Sequence, residues 1–271
     1  QGSPCGLQDI PQPMIEPVIF KNAAERGARF SFNTEYLGHM QDADGVTVSL
    51  KERHSGREYS LRARFLVGAD GAKSKVAEDI GLPIEGHMAR AGTVYVIFKA
   101  DLSRYVAHRP SILHWIVTPA ASFGEIGMGL LRAVRPWHTW IAGWGFDISR
   151  GDPDLSPACL LDRIRTLVGD PELEVTIERS SVWYVNQAYA TEYARGRVFC
   201  GGDAVHRHPP SSGLGLNTCV QDAFNLAWKL AYVIQGHAGP QLLATYSAER
   251  APVGRQIVLR ANQSRLDYAP L

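Results

Sequence analysis

The stretch VFCGGDAVHRHPPSSGLGLNT, Val198 to Thr218, decides the fold. It holds an apolar strand, a Gly-Gly-Asp turn, a rigid proline loop and a glycine-bearing segment, and it opens a helical pattern running from Thr218 to Gln235. In α/β sheets ligands gather beyond the carboxyl ends of strands, where a glycine lets backbone approach a nucleotide and an aspartate accepts hydrogen bonds from ribose-type hydroxyls. Asp203 is therefore a candidate hydroxyl-binding carboxylate. The residues Gly213, Leu214, Gly215, Leu216 and Asn217 lead into a helix whose unpaired N–H groups and positive dipole end attract an anion or a polarised carbonyl. A cap by Asn217 or Thr218 would satisfy the same N–H groups, so both readings stand at this point. The core face of that helix is read as Val220, Phe224, Ala227, Leu230 and Ala231.

A second segment, LVGADGAKSKV from Leu66 to Val76, repeats the form of strand, glycine, aspartate and helix. Asp70 and Gly71 become candidates by the same logic, with ordinary turn chemistry as the alternative. Outward from these two segments, Ile15, Val18, Ile19 and Ala23 recur at helical spacing up to Gly27. Pro17 leaves the start of that helix open, since proline fits a first turn better than an interior. Arg29 to Asn33, Gly45 to Arg53 and the run holding Tyr59, Leu61 and Ala63 predict a strand meander, and a helical segment follows Gly71 through Ile80.

From Gly92 to about Asp147 four strand-like runs predict a sheet: TVYVIFKA, ILHWIVT, IGMGLLRAV and WIAGWGFD. In the last, Trp140, Ala142, Trp144 and Phe146 share one face while Gly143 and Gly145 leave the other nearly bare. A helix over Ala158 to Val168 and a strand over Glu174 to Tyr184 complete this region. The shifts in pattern near residues 90 and 190 predict a sheet domain inserted between two pieces of an α/β domain.

Composition excludes several classes. In 271 residues, 28 Lys and Arg face 27 Asp and Glu, with 45% hydrophobic and 20% charged residues. Balanced charge without a basic run argues against nucleic acid or an anionic membrane as a partner, and the apolar stretches are strand-sized. A chain of this length buries enough surface to fold without disulfides or metal. Cys5, Cys159, Cys200 and Cys219 form no CxxC pair, which makes a reducing cytoplasm the expected setting. His206 and His208 have no third ligand at a suggestive spacing, so no metal is expected. The Gly-x-Gly pairs at Gly127, Gly143 and Gly213 lack a third glycine, and neither a Walker-type loop nor a GxSxG elbow is present.

Taken together these segments resemble the class A FAD-dependent aromatic hydroxylases. GADGAKSKV resembles the family's Asp-Gly motif and GRVFCGGDAVHRHPP its Gly-Asp motif; ARFSFNTEYLGHMQDADGV, ADLSRYVAHRPSILHWIV, AVRPWHTWIAGWGFD, DAFNLAWKLA and YSAERAPVGRQIV are similar to the phenol hydroxylase branch. The resemblance implies an α/β fold: an incomplete Rossmann-like domain binding FAD and NAD(P), in residues 1–90 and 191–271, with an inserted mixed β-sheet substrate domain in 91–190. It implies that Gln12 contacts FAD, Asp203 holds a ribityl hydroxyl, Gly213 to Asn217 offer N–H groups to the flavin pyrimidine carbonyl, Pro210 lies against the ring, and Asp70 with Gly71 serves the cofactor crevice. It also implies NADPH as reductant and dioxygen as co-substrate, a flavin hydroperoxide, and hydroxylation of a phenol, a chlorinated one such as 2,4-dichlorophenol, ortho to its hydroxyl. His114 is the candidate base, although the relatives compared tend to carry tyrosine there. Trp115, Trp140 and Trp144 are candidate substrate contacts, with core packing as the alternative for the tryptophan stripe.

Expected partners are a small aromatic molecule and further copies of the chain. Family members start with a strand, a GxGxxG turn and a helix, and continue into a C-terminal domain; neither is in this sequence. The expectation is an interior portion of a longer enzyme or a truncated product with an unpaired sheet edge. Two alternatives to phenol hydroxylation stay open: a larger aromatic or polyketide substrate, and a fragment without turnover.

Overall fold

The computed structural model describes residues 9–121, 128–210 and 213–267. Cys5, Ile126, Gly127, Ser211 and Ser212, on which some of the expectations above fall, lie outside them. The helices are α1 (Gln12–Glu25), α2 (Lys75–Asp79), α3 (Ser103–Val106), α4 (Pro157–Val168), α5 (Leu214–Ile234) and α6 (Gln241–Asp267). The strands are β1 (Thr34–Gln41), β2 (Val46–Glu52), β3 (Glu58–Ala63), β4 (Leu66–Gly68), β5 (Ile84–Lys99), β6 (Leu113–Ile116), β7 (Gly129–Arg135), β8 (Thr139–Phe146), β9 (Thr176–Ala190), β10 (Ala194–Arg195), β11 (Val198–Cys200) and β12 (His206–Arg207). Among the described residues no helix is long and apolar enough to cross a membrane.

The chain divides into two compact units, residues 1–32 with 94–182 and residues 33–93 with 183–271. The expected boundaries were 90 and 190. The observed ones fall inside β5 and β9, because each of these long strands gives one half to each unit. Residues 1–32 belong with the sheet unit, where Asp9 accepts two hydrogen bonds from Arg132.

In the first unit the strand order is β9-β5-β8-β7-β6. Strict alternation sends Val94, Val96 and Phe98 of β5 and Trp140, Ala142, Trp144 and Phe146 of β8 to one face, where Leu160, Ile164 and Leu167 of α4 cover them. The position of α4 is fixed locally. Ser156 caps its first turn by accepting from Cys159 N, Pro157 occupies the first helical position, and Gly169 ends it at φ 81°. A side chain on Gly129 would meet Leu167 at 2.1 Å, so this glycine is what lets helix and sheet close together.

In the second unit β1, β2 and β3 form an antiparallel meander. The first strand runs over Thr34–Gln41 instead of Arg29 to Asn33, since Asn33 adopts φ 54° and turns the chain before pairing begins. The segment after Gly71 holds only the five-residue α2, capped by Ser74. A second sheet has the order β10-β11-β4, with β11 and β4 parallel in the register Val198↔Leu66 to Cys200↔Gly68. Phe199, Tyr193 and Tyr246 pack edge to face within the core of this unit.

Helix α5 departs from the expected face. Thr218, Asp222, Leu226 and Lys229 are buried, while Val220 is 56% and Phe224 75% exposed. The inward face is polar because its charges find partners: Asp222 meets Arg250 and His206, and Lys229 meets Glu249 at 2.8 Å.

Candidate functional site

Because β4 and β11 run parallel and in step, the turns that follow them leave from the same end of the sheet, and Gly201 N donates to Gly68 O at 3.1 Å. A side chain on Gly68 would meet Val76 at 2.7 Å, so the first turn passes straight into α2. Gly202 adopts φ 65°, a left-handed conformation glycine takes without strain, and this swings the chain into Asp203. Arg207 holds the turn from below, its Nε donating to Asp203 O at 3.0 Å and its guanidinium also reaching Ala204 O. The Asp203 side chain is exposed, and Cys219 Sγ donates to its Oδ1 at 3.8 Å. Burial and the neighbouring Asp203 and Asp222 push the Cys219 thiol up to about 12, which keeps it a donor at neutral pH.

The start of α5 answers the question of the cap. Gly213 at φ 64° precedes the helix with no side-chain cap among the described residues; Asn217 Nδ2 donates back to Gly213 O at 2.9 Å and Thr218 Oγ1 to Leu214 O at 2.7 Å. Both side chains bond carbonyls, so neither serves the first-turn N–H groups. A side chain built on Gly213 would meet nothing within 4 Å, and one on Gly215 would come no closer than 3.7 Å to His208. At Gly213 the left-handed φ itself accounts for glycine; at Gly215 the protein's own packing does not require one, and the space beside it suits a ligand resting on backbone. His208 donates from Nδ1 to Pro209 O at 2.8 Å, and burial lowers its pKa, leaving a neutral ring beside this start. Pro210 is exposed next to it. A shallow cleft of about 390 Å³ lies in the same unit, lined by Lys73, Ser74, Glu78, Leu82, Ile84 and Arg207.

The structure brings Asp203, Pro210 and Gly213 to Asn217 into one unit with Asp70 and Gly71. The Asp70 carboxylate is occupied locally, accepting from Ser74 Oγ on one oxygen and from Val76 N at 3.1 Å on the other, and Gly71 at φ 81° makes the turn. That is the turn chemistry weighed against a ligand role. Gln12 stands in the other unit, exposed on α1, donating to Glu16.

His114, Trp115, Trp140 and Trp144 also belong to the other unit. Trp140 is 0% and Trp144 6% exposed; both are core residues under α4, and Trp140 Nε1 donates to Trp137 O at 2.8 Å. The expected substrate contact of these two is corrected by strand alternation, which puts the bulky face inward. His114 lies on the same side, its ring 6.3 Å from Trp140 and its Nε2 donating to Ser111 O at 3.0 Å. Trp115 points the opposite way and is 44% exposed. On its face Tyr95 lies against Gly143, where a side chain would meet the ring at 2.4 Å, and Leu130 and Ile141 are half-buried beside it. The glycine face is thus the accessible one.

Sequence spacing also hid a cluster: ligand atoms of Asp203, His206 and Cys219 lie within 4.8 Å of one another. As it stands it is a hydrogen-bonded group, with His206 Nε2 committed to Asp222 and the thiol protonated. Asp222 and Arg250 went unread as well. The available signal was that Asp222 and Lys229 are the charged residues of α5 and stand seven apart, on one helix face.

Two parallel strands running into Gly-Ala-Asp and Gly-Gly-Asp turns, with a helix start that no side chain caps among the described residues, define a dinucleotide-type site on an α/β frame. Residues 1–261 match the FAD binding domain family, and the chain belongs to it. It is 50% identical over 269 residues, 99% of its length, to a 2,4-dichlorophenol 6-monooxygenase of Cupriavidus pinatubonensis, and 48% identical over 271 residues to a phenol 2-monooxygenase of a Pseudomonas species. It covers 45% and 42% of those two proteins, so the chain spans a little under half the length of the curated relatives it matches. Among solved structures, the flavin-dependent monooxygenase PieE in complex with FAD and substrate matches with a TM-score of 0.91 at 42% identity, covering 98% of this chain and 46% of that one. Aklavinone-11 hydroxylase with FAD and aklavinone matches with a TM-score of 0.90 at 33% identity, covering 99% and 50%.

Proposed function

We propose that the protein serves an NADPH-dependent monooxygenase that uses FAD to hydroxylate a phenol ortho to its hydroxyl, a chlorophenol such as 2,4-dichlorophenol being the preferred substrate. The observation that carries this reading is the start of α5, uncapped among the described residues, beside the exposed Asp203 carboxylate, in a chain about half identical to a dichlorophenol monooxygenase. The fit to FAD rests on the open space at Gly215, where bare backbone can approach a planar ring.

FAD, when bound and reduced by NADPH, supplies the activation of dioxygen. Asp203 would hold a ribityl hydroxyl, and the N–H groups from Leu214 to Asn217 would favour the negative charge of the reduced ring through the positive end of a 21-residue helix. Pro209 and Pro210 stiffen the approach to that helix. The aromatic substrate would rest on the face carrying Tyr95, Leu130, Ile141 and Trp115, which has an apolar centre suited to a planar ring. We assign no residue as the base that would deprotonate the phenol. Free thiols at Cys159, Cys200 and Cys219 accord with a cytoplasmic setting, and self-association remains part of the proposal.

The similarity to aklavinone-11 hydroxylase favours a second reading, a polyketide-sized substrate on the same face. A panel of phenols, chlorophenols and polycyclic phenols, followed by NADPH oxidation together with product, separates the two. Ortho-hydroxylated product from the single-ring members supports the first reading. Product from polycyclic members alone supports the second.

A further inference from the structure

We propose that Asp222 is the positioning residue of the flavin turn, orienting Asp203 through the backbone of Gly202; this rests on the reading of Gly201 to Asp203 as part of the FAD site. Asp222 is 1% exposed and receives donors from three separate elements. Its Oδ2 accepts from Gly202 N at 3.0 Å and from His206 Nε2 at 2.7 Å, and its Oδ1 accepts from Arg250 Nε at 2.7 Å. Arg250 is itself anchored to Gln221 Oε1 and Thr218 O on α5. The carboxylate therefore ties α5, α6 and β12 to one peptide plane, that between Gly201 and Gly202, one residue before Asp203.

Gly202 sits in the left-handed region, and its torsions carry the chain from the Gly201–Gly202 peptide into Asp203. A bond from the Gly202 N–H to a buried, doubly anchored carboxylate fixes the peptide from which that turn starts. A buried charge pair is a poor device for stability alone, since its desolvation cost offsets much of its attraction, whereas fixing one arrangement is a use such pairs do serve. Burial would raise the Asp222 carboxyl, but His206, Arg250 and Gly202 more than compensate and hold it below the usual carboxylate range.

A double-mutant cycle on FAD affinity tests the proposal, read by quenching of flavin fluorescence on the full chain. Asp203→Ala reports on the flavin site itself: unchanged affinity there removes the turn from the FAD site and is a failure of the underlying reading. With that variant weakened, Asp222→Asn is expected to lose about tenfold in FAD affinity in the parent background and little further in the Asp203→Ala background, because it acts through Asp203. Losses that multiply independently, or parent-like affinity in a folded Asp222→Asn, overturn the proposal while leaving the flavin site intact. Should Asp222→Asn not fold, Arg250→Lys takes its place. It keeps a cation beside the carboxylate but loosens the anchor, and a smaller loss that disappears in the Asp203→Ala background is expected; an additive loss, or none, overturns the proposal.

Discussion

Asp203 was legible from sequence because everything that makes it a candidate is local: an apolar strand, two glycines and a turn. Asp222 was not, because its partners stand 16, 20 and 28 residues away and meet it only after α5 and α6 pack. Asp203→Ala should weaken FAD binding by about 2–4 kcal/mol, the worth of one or two hydrogen bonds to a charged group, as isothermal titration would measure. At Gly254 the close contact is within the protein: a side chain there would meet Tyr193 Oη at 2.0 Å. Gly254→Ala should cost about 1–3 kcal/mol of stability by overpacking, measured by urea unfolding, with no change in FAD affinity per folded molecule.

Helix α5 shows where pattern reading breaks down. Its period and length were readable, but its inward face was not, since apolar residues fill more of the helix than one face can bury and paired charges turned out to sit inside. Phe224→Ser, at a 75% exposed position, should therefore change stability by no more than about 0.5 kcal/mol, whereas Leu226→Ala should cost about 2–5 kcal/mol. Thermal unfolding of the two variants side by side decides it, and a large loss at Phe224 would mean that this face is covered. The pairing of α5 with α6 has a pH signature. Hydrogen bonds from Lys229 and Asn225 lower the Glu249 carboxyl to about 2 from the ordinary 4.5. Its contribution is thus complete above pH 4.5 and is lost as pH falls toward 2. Glu249→Gln should narrow its stability difference from the parent as the unfolding midpoint is followed down through that window; a constant difference would remove this pair from the α5–α6 contact.

For the molecule as a whole, the pattern shifts near residues 90 and 190 predicted a sheet inserted between two pieces of an α/β frame, whereas the two observed units divide inside β5 and β9 and group residues 1–32 with the sheet. Side-chain alternation was also readable in β8. What it could not show was which face α4 would cover, because that depends on Leu160, Ile164 and Leu167 arriving from a helix a loop away. The bulky tryptophan face became core and the glycine face became the accessible one. Substituting on the accessible face should thus change substrate preference, with Ile141→Ala admitting bulkier phenols and Trp140→Ala chiefly lowering stability, by about 3–5 kcal/mol. Product yield per NADPH consumed, across a series of ring sizes, checks the first; equilibrium unfolding checks the second. Equal substrate ranges in the parent and Ile141→Ala would move the aromatic site off this face.

The most direct measurement is the visible spectrum, between about 350 and 500 nm, of the purified protein loaded with FAD and then freed of unbound flavin. A flavin site at Asp203 and the start of α5 predicts retained flavin bands near one FAD per chain, diminished by Asp203→Ala and by Gly215→Val, which places a branched side chain where backbone must meet the ring. A parent protein that folds but keeps no flavin, or a Gly215→Val variant that keeps all of it, would contradict the account.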